Sequence, residues 1–385
     1  MQKIILFALI LMNLTVSAQN KEEIIRDYMA SGTLEFITDK NKAIEYFNKV
    51  IQIDSNYAMA YYMRGQCYYG LDKINEALAD FDRVIRLEPK NPKPHALKGV
   101  IYVDMNNYYA AIMEYNTAVE LAPDNGVYYY SRGFVQIKLE NPWYAIKDFE
   151  KAIALKYTDK ELYYWMGYAY LYLNDFPKAV SNLSFAIEKG KRDADAYFHL
   201  GHAKMYMQMY IQALQDLEMA IMFDDQYAPA WFDKGFIYIQ QGEYQNAIKS
   251  YTKGLELYPV QAMAYVNRGI AYKAVSQPDE ALADFTKAIE LEPAYPDPYF
   301  HRSLIYDEKK DYQNALSDIV KYTQLRQGDA DAIYRRGRLY LLTNNIQNAC
   351  NDFKEAANLG NEMAVKAAEE VCALLAVPVE ENKPE

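Results

Sequence analysis

Apolar and small residues recur along this chain at intervals of 34 positions. In most intervals an aromatic residue stands four positions before a glycine, and a tyrosine stands three positions after it. Residues three, four and seven apart share one face of an α-helix, so this spacing predicts a helix. A second apolar face follows in each interval, for example at Ala145, Phe149 and Ala152. The pattern therefore predicts a repeated pair of helices.

The small residues define the repeat most clearly. They are Gly65, Gly99, Gly133, Gly167, Gly201, Gly235, Gly269, Ser303 and Gly337. Twelve positions later an alanine follows each of them, at Ala77, Ala111, Ala145, Ala179, Ala213, Ala247, Ala281, Ala315 and Ala349, and Ala43 adds an earlier interval. A glycine inside a helix costs roughly 1 kcal/mol relative to alanine. Its recurrence therefore predicts that the two helices of each pair cross closely at this point.

Turn residues separate the paired helices, as at Asn106-Asn107 and Asn174-Asp175, and prolines such as Pro89 and Pro259 close several intervals. This order of aromatic, glycine, tyrosine, alanine, aromatic, alanine and proline resembles the tetratricopeptide repeat. With the glycine as position 8, repeats begin at 24, 58, 92, 126, 160, 194, 228, 262, 296 and 330, and Ser31 takes the glycine position of a degenerate first repeat. The resemblance implies an all-α, right-handed α-solenoid of about ten helical hairpins over residues 24–363.

The ends of the chain carry different signals. Residues 1–18 combine an early lysine, an apolar stretch and small residues before Gln19, which predicts a secretory signal peptide cleaved after Ala18. Residues 19–23 are expected to form a linker, residues 364–376 a helix that caps the last repeat, and residues 377–385 a disordered acidic tail. We therefore expect export to the periplasm or the medium, and the combination is typical of a Gram-negative bacterium.

Charge and motif content narrow the function. The chain has 41 basic and 52 acidic residues, a net charge of −11, which disfavours binding to nucleic acid or to anionic lipid. No apolar run beyond the leader is long enough to span a membrane, so no direct membrane insertion is expected. No phosphate-binding glycine loop, zinc-protease motif, nucleophile elbow or CxxC pair occurs, and His199 and His202 have no evident third metal ligand. The sequence predicts no enzyme, no cofactor and no metal site.

Two positions of the repeat carry opposite charges. Position 7 is basic at Arg64, Lys98, Arg132, Lys234, Arg268, Arg302 and Arg336, and position 23 is acidic at Asp80, Glu114, Asp148, Asp216, Asp284, Asp318 and Asp352. This parallel predicts a ladder of ion pairs. The pairs could form within one hairpin or between neighbouring hairpins, and the sequence does not separate the two.

The resemblance also implies which residues line the concave face, because the first helices of such repeats form it. In the middle repeats these positions hold Tyr130, Phe134, Tyr164, Tyr168, Tyr172, Phe198, His202, Tyr206, Phe232 and Phe236. Their rings either fill the contacts between adjacent first helices or form a groove that holds an extended peptide or an amphipathic helix. The lysines and asparagines with which some family members clamp a carboxylate are missing, apart from Asn267.

Three cysteines remain. Cys350 and Cys372 lie 22 residues apart in the last hairpin and the predicted cap, so they are expected to form a disulfide, with two buried thiols as the alternative. Cys67 is expected to be a buried free thiol. Together these features predict a non-enzymatic scaffold or adaptor that binds a protein or peptide. A structural subunit of an envelope assembly or secretion complex and a carbohydrate-binding module are the alternatives, and the sequence gives no oligomeric state.

Overall fold

The computed structural model describes the backbone of residues 2–375 and the side chains of residues 20–375. Over these residues the chain is helical, and none of them belongs to a β-strand. The side chains of the predicted signal peptide, residues 1–18, lie outside this range, as does the predicted acidic tail, residues 377–385. None of the helices in the described part has the length and hydropathy that a membrane span requires.

The chain divides into two compact units, Met1–Lys191 and Arg192–Glu385. The helices of the first unit are α1 (Gln2–Thr38), α2 (Lys40–Ile53), α3 (Ala58–Tyr69), α4 (Ile74–Leu87), α5 (Lys93–Asp104), α6 (Tyr108–Leu121), α7 (Gly126–Lys138), α8 (Pro142–Ala154), α9 (Lys160–Tyr172) and α10 (Phe176–Glu188). Those of the second unit are α11 (Ala194–Tyr206), α12 (Tyr210–Phe223), α13 (Ala228–Gln240), α14 (Tyr244–Leu257), α15 (Ala262–Ala274), α16 (Pro278–Leu291), α17 (Asp297–Glu308), α18 (Tyr312–Leu325), α19 (Ala330–Leu342), α20 (Ile346–Asn358) and α21 (Glu362–Ala373). Consecutive helices pack as hairpins, and α21 packs on α20, as the predicted all-α hairpin array requires.

A left-handed residue makes the turn inside most hairpins. The same repeat position has a positive φ at Asp72, Asn106, Glu140, Asn174, Gln208, Gly242, Ser276, Lys310 and Asn344. This conformation ends the first helix, and the next amide then donates back to a carbonyl five residues earlier, as from Asn107 to Tyr102 at 2.8 Å. The Asn107 side chain accepts a hydrogen bond from the amide of Ala110 and so begins the second helix.

The first hairpin departs from the sequence-based numbering. A Cβ atom added to Gly32 would lie 2.6 Å from Cε1 of Phe47, so Gly32 makes the close helix contact, and the prediction that Ser31 does so is wrong. The reason is a shorter turn, since only Asp39 separates α1 from α2. Residues 19–23, expected as a linker, lie inside α1.

The predicted ion pairs form within hairpins. In the second unit Nε and Nη2 of Arg268 donate to the two carboxylate oxygens of Asp284, at 2.8 and 2.7 Å. The third nitrogen, Nη1, donates to Thr252 of the preceding hairpin at 3.0 Å. The same paired geometry joins Arg64 to Asp80, Arg132 to Asp148, Arg302 to Asp318 and Arg336 to Asp352. One side chain thus closes its own hairpin and ties it to the previous one.

The first helices α11 and α13 lack the arginine of the ladder, and their lysines form other ion pairs. Leu200 occupies the basic position in α11, and Lys204, one turn later, contacts Asp216 at 2.6 Å instead. Lys234 reaches the preceding hairpin at Glu218, with an Nζ to Oε1 distance of 3.1 Å. Lysine therefore contacts carboxylates as a point charge, whereas the arginines bind them with two parallel hydrogen bonds.

A disulfide ties the last helix to the array. Cys350 of α20 and Cys372 of α21 are bonded, with their Cα atoms 5.0 Å apart. Val371 of α21 is buried beside Cys350 and Phe353, so this helix covers the end of the last hairpin. Cys67 is free and fully buried, and burial raises the pKa of its thiol to about 11.

This arrangement predicts the thiol count of the isolated protein. Alkylation after denaturation without reductant should modify Cys67 alone, because the other two sulfurs are bonded. Mass spectrometry should then show one adduct, and three after prior reduction. A Cys350→Ser variant is the control and should show two adducts without reductant. Three adducts on the unreduced wild-type chain would contradict the prediction.

Candidate functional site

A cavity of about 650 Å³ lies in the second unit. Side chains of the first helices α11, α13 and α15 line it, together with α14 and the turns that precede α13 and α15. The periodicity explains this arrangement, because each first helix presents the same face at intervals of 34 residues. The described residues of three consecutive hairpins therefore contribute to one concave surface.

Exposed rings and a thioether form the rim. Tyr206, Phe236, Tyr258 and Met263 are all more than one third exposed and all line the cavity. Phe232 lies deeper, 6.4 Å from the buried ring of Tyr251 between centroids. Large apolar groups held in a concavity are typical of sites that bind a ligand side chain.

A glycine on the second helix allows the deep ring to sit close to the backbone. A Cβ atom added to Gly254 of α14 would lie 2.5 Å from Cε1 of Phe232. This glycine stands outside the glycine positions that the sequence repeats, and its isolated place in a helix was the available signal that a ring packs there. Gly254 therefore helps to set the depth of the cavity.

Polar groups lie among the rings. Nδ1 of His202 is 2.6 Å from Oδ2 of Asp233, and the hydroxyl of Tyr227 donates to Asp195 at 2.7 Å. Burial, with the hydrogen bond to Asp195, raises the pKa of Tyr227. The Tyr251 hydroxyl is buried without a hydrogen-bond partner of good geometry, and burial raises its pKa while the nearby Asn267 side chain acts in the opposite direction. The floor thus keeps a neutral phenol that can accept a hydrogen bond.

Four of the predicted groove residues meet in this cavity. They are His202, Tyr206, Phe232 and Phe236. Phe198 lies behind them, with its ring centroid 5.4 Å from His202 and 5.3 Å from Tyr227. In the second unit, the groove interpretation thus has a cavity to support it.

The predicted residues of the first unit pack mainly against other aromatic side chains of that unit. Phe134 and Tyr168 both contact Trp165, at centroid distances of 5.1 and 5.8 Å. The ring of Tyr130 lies 5.2 Å from Tyr157, in the turn before α9. Here the alternative interpretation, contact between neighbouring helices, describes the rings better.

Among the predicted groove residues of the first unit, Tyr164 and Tyr172 differ most in exposure. Tyr164 is only 5% exposed, so its ring is part of the packing and is not offered to a ligand, contrary to the prediction. Tyr172 is 55% exposed, and its hydroxyl lies 3.5 Å from Glu140. Two predicted groove positions on the single helix α9 therefore differ in exposure.

Several cavity residues could not be found from the first-helix positions. Tyr251 comes from a second helix, and Tyr227, Tyr258 and Gln261 come from turns between hairpins. The signal for Tyr251 was its hydroxyl, because five other repeats have phenylalanine at this core position. In the described part of the chain, no three His, Cys, Asp or Glu side chains are arranged to hold a metal ion. Burial lowers the pKa of His199 to about 4, so this side chain is neutral at physiological pH.

Repeated helical hairpins with a cavity on their first helices define a helical-repeat protein. Models of the tetratricopeptide repeat match residues 28–57, 58–91, 93–125, 164–203, 228–259, 262–295 and 330–359. Together these matches cover more than half of the sequence. The chain belongs to the tetratricopeptide repeat family.

The solved structures that the chain is similar to include three repeat proteins. The C-terminal part of a repeat protein from Cytophaga hutchinsonii is 19% identical, with a TM-score of 0.54, and the match covers 62% of this chain and 98% of that one. YrrB, described as having an unusual peptide-binding site, is 23% identical with a TM-score of 0.44, covering 50% and 100%. A repeat protein from Parabacteroides merdae is 18% identical with a TM-score of 0.40, covering 73% and 98%. No curated protein matches the chain at a significant level.

Proposed function

We propose that this chain is a non-enzymatic scaffold or adaptor that holds a segment of a partner protein, and that the cavity of the second unit is the binding site. The observation that carries the proposal is the exposed rim of Tyr206, Phe236, Tyr258 and Met263 above a partly polar floor. Burying these side chains under a partner removes apolar surface from water. Membership of the tetratricopeptide repeat family supports binding of a protein.

The volume of the cavity indicates the size of the ligand. About 650 Å³ is within the range of pockets that hold a small molecule or a few side chains. The first helices that line it are regular and capped, as Asp193 caps α11 by accepting from the amide of Ala196. A site on such preformed helices loses little conformational freedom on binding. A short peptide segment with one or two large side chains fits these properties.

We also propose that the scaffold acts outside the cytoplasm, in the periplasm or the medium. The sequence of residues 1–18 supports export, because it has the composition of a signal peptide. The bond between Cys350 and Cys372 supports it too, since disulfides persist in oxidising compartments.

A double substitution in the rim tests the binding site. Twelve-residue peptides selected from a random library on the wild-type chain should bind at least about tenfold more weakly to Phe236→Ser with Met263→Ser, because both exposed apolar contacts are lost. Fluorescence anisotropy measures the affinities, and circular dichroism checks the fold. Trp143→Ser, a change of an exposed ring in the first unit, is the matched control and should bind as the wild type does. Unchanged affinity in the rim variant, or a selection without binders, would refute the proposed site.

A second candidate function is docking as a structural subunit through another surface. Tyr109 and Met113 of α6, and Trp143 and Tyr144 of α8, are 79%, 67%, 66% and 62% exposed on second helices. The position that Tyr109 and Trp143 share is polar in other repeats, at Asn75, Gln245, Asp279, Gln313 and Gln347, and apolar at Pro177 and Ile211. Exposed apolar groups of this size favour an interface. Loss of binding in Trp143→Ser, with binding kept in the rim variant, would favour this surface.

A further inference from the structure

We infer that the segment held in the cavity of the second unit carries a basic residue, and that its lysine or arginine side chain lies among the aromatic rings beside Asp233. This inference rests on the proposed function, because it names the chemistry of the ligand for the same site. Among the described residues, a cavity, a set of carboxylates without a lysine or arginine partner and a ring that no cation covers all point to this ligand.

The net charge of the chain is concentrated in the second unit. Residues 1–191 contain 22 basic and 23 acidic residues, a net charge of −1. Residues 192–385 contain 19 basic and 29 acidic residues, a net charge of −10. The unit that contains the cavity therefore attracts cationic segments, whereas the other unit is almost neutral.

Four carboxylates next to the cavity have no lysine or arginine partner among the described residues. Asp195 accepts from Tyr227, Asp233 contacts His202, and the adjacent Asp224 and Asp225 accept hydrogen bonds from Gln226. Gln226 and Asp233 line the cavity. Within residues 20–375 no lysine or arginine lies within 4 Å of these four carboxylates. The buried acids of the ladder differ in this respect, since each has its own arginine.

Phe134 and Phe236 occupy the same repeat position, but within the described part of the chain only the ring of Phe134 is covered by a cation. In the first unit Lys138 lies over Phe134 and Trp165, 5.3 and 5.0 Å from the ring centroids. Phe236 occupies the repeat position of Phe134, and Gln240 occupies the position of Lys138. No lysine or arginine of the described residues lies over Phe236. The first unit thus supplies a cation to its own ring, and the second leaves the corresponding ring to a ligand.

A lysine or arginine fits both parts of this surface. Its methylene groups pack on apolar rings, and its charged end is attracted to the faces of Tyr206, Phe236 and Tyr258 and to the Asp233 carboxylate. Ammonium and guanidinium groups only donate hydrogen bonds. An acidic or a purely apolar ligand would bring no positive charge to the ring faces or to the Asp233 carboxylate.

Binding of matched peptides tests the inference. Fluorescent nine-residue peptides are made with two leucines flanking a central arginine, lysine, citrulline, norleucine or glutamate. The full chain should bind the arginine and lysine peptides about tenfold more tightly than the neutral ones, and the glutamate peptide most weakly. The preference should decrease when the salt concentration is raised from about 0.05 to about 0.5 M, because salt screens the charges.

Two variants locate the effect. Asp233→Asn should bind all the peptides with nearly equal affinity, because it removes the carboxylate at the cavity. Glu280→Gln removes the same charge from an exposed position of α16 and should keep the wild-type preference. Equal affinity for the arginine and citrulline peptides, reduced for both by Phe236→Ser, would overturn this inference and leave the proposed function standing. No binding of any peptide at about 1 mM would overturn both.

Discussion

Replacing Arg268 with methionine should lower the free energy of unfolding of the second unit by about 3 kcal/mol or more. The substitution removes both hydrogen bonds to Asp284, whose side chain is only 5% exposed. Burial raises the pKa of Asp284, and the Arg268 guanidinium opposes this effect. In the variant the carboxyl stays buried but has lost the guanidinium that stabilised its charged form. Urea unfolding followed by circular dichroism measures the loss, and hydrogen exchange should locate it in α15 and α16.

Two further variants separate the loss of the pair from a general effect of substitution. Arg268→Met with Asp284→Leu should recover most of the stability, because neither charge is then buried. Lys287→Met on α16, the helix of Asp284, removes an exposed contact with Glu290 and should leave the unfolding midpoint unchanged. An Arg268→Met chain that is as stable as Lys287→Met would show that the ladder contributes nothing.

The ladder shows what periodicity can predict. Positions 7 and 23 of one repeat lie 16 residues apart, and the hairpin turn is nearly constant in length, so charges at these positions meet in one hairpin after another. The sequence left open whether partners share a hairpin. Hairpin geometry decides this, because Arg268 reaches Asp284 with two nitrogens and only its third reaches Thr252.

The departures from prediction have local causes. Gly32 replaces Ser31 at the first helix crossing because the turn between α1 and α2 is short, and periodicity from the other repeats carries no information about that length. Tyr164 is only 5% exposed, whereas Phe232, at the same position of another repeat, is half-buried. Exposure at this position depends on the side chains beside the ring, since Lys191, in the turn before α11, lies over Tyr164 at 5.0 Å from its ring centroid. Repeat position therefore predicts the helix face, and the neighbours determine which rings remain accessible.

Replacing Phe285 with alanine should destabilise the second unit by about 3 to 5 kcal/mol. Its ring is fully buried and lies against the backbone of α15, where a Cβ atom on Gly269 would be 2.7 Å from Cε1. The substitution leaves a cavity that the crossing helices are too rigid to fill. Urea unfolding measures the change. A loss below about 1 kcal/mol would contradict this packing role.

The ninth repeat offers a natural control for the same contact. Ser303 stands at the glycine position and Ile319 at the phenylalanine position, and both side chains are buried. A larger residue on one helix is thus matched by a smaller one on the other. Gly269→Ser alone should cost about 1 to 3 kcal/mol, because its new atoms overlap the ring of Phe285.

Adding Phe285→Ile to Gly269→Ser should restore part of that loss, since it reproduces the pair found at Ser303 and Ile319. A double-mutant cycle over the two positions should therefore show a favourable coupling energy of about 1 kcal/mol. Independent, additive effects would mean that the recurring glycine is not required by the ring that faces it. The close helix crossing would then need another explanation, because helix propensity alone favours alanine at Gly269.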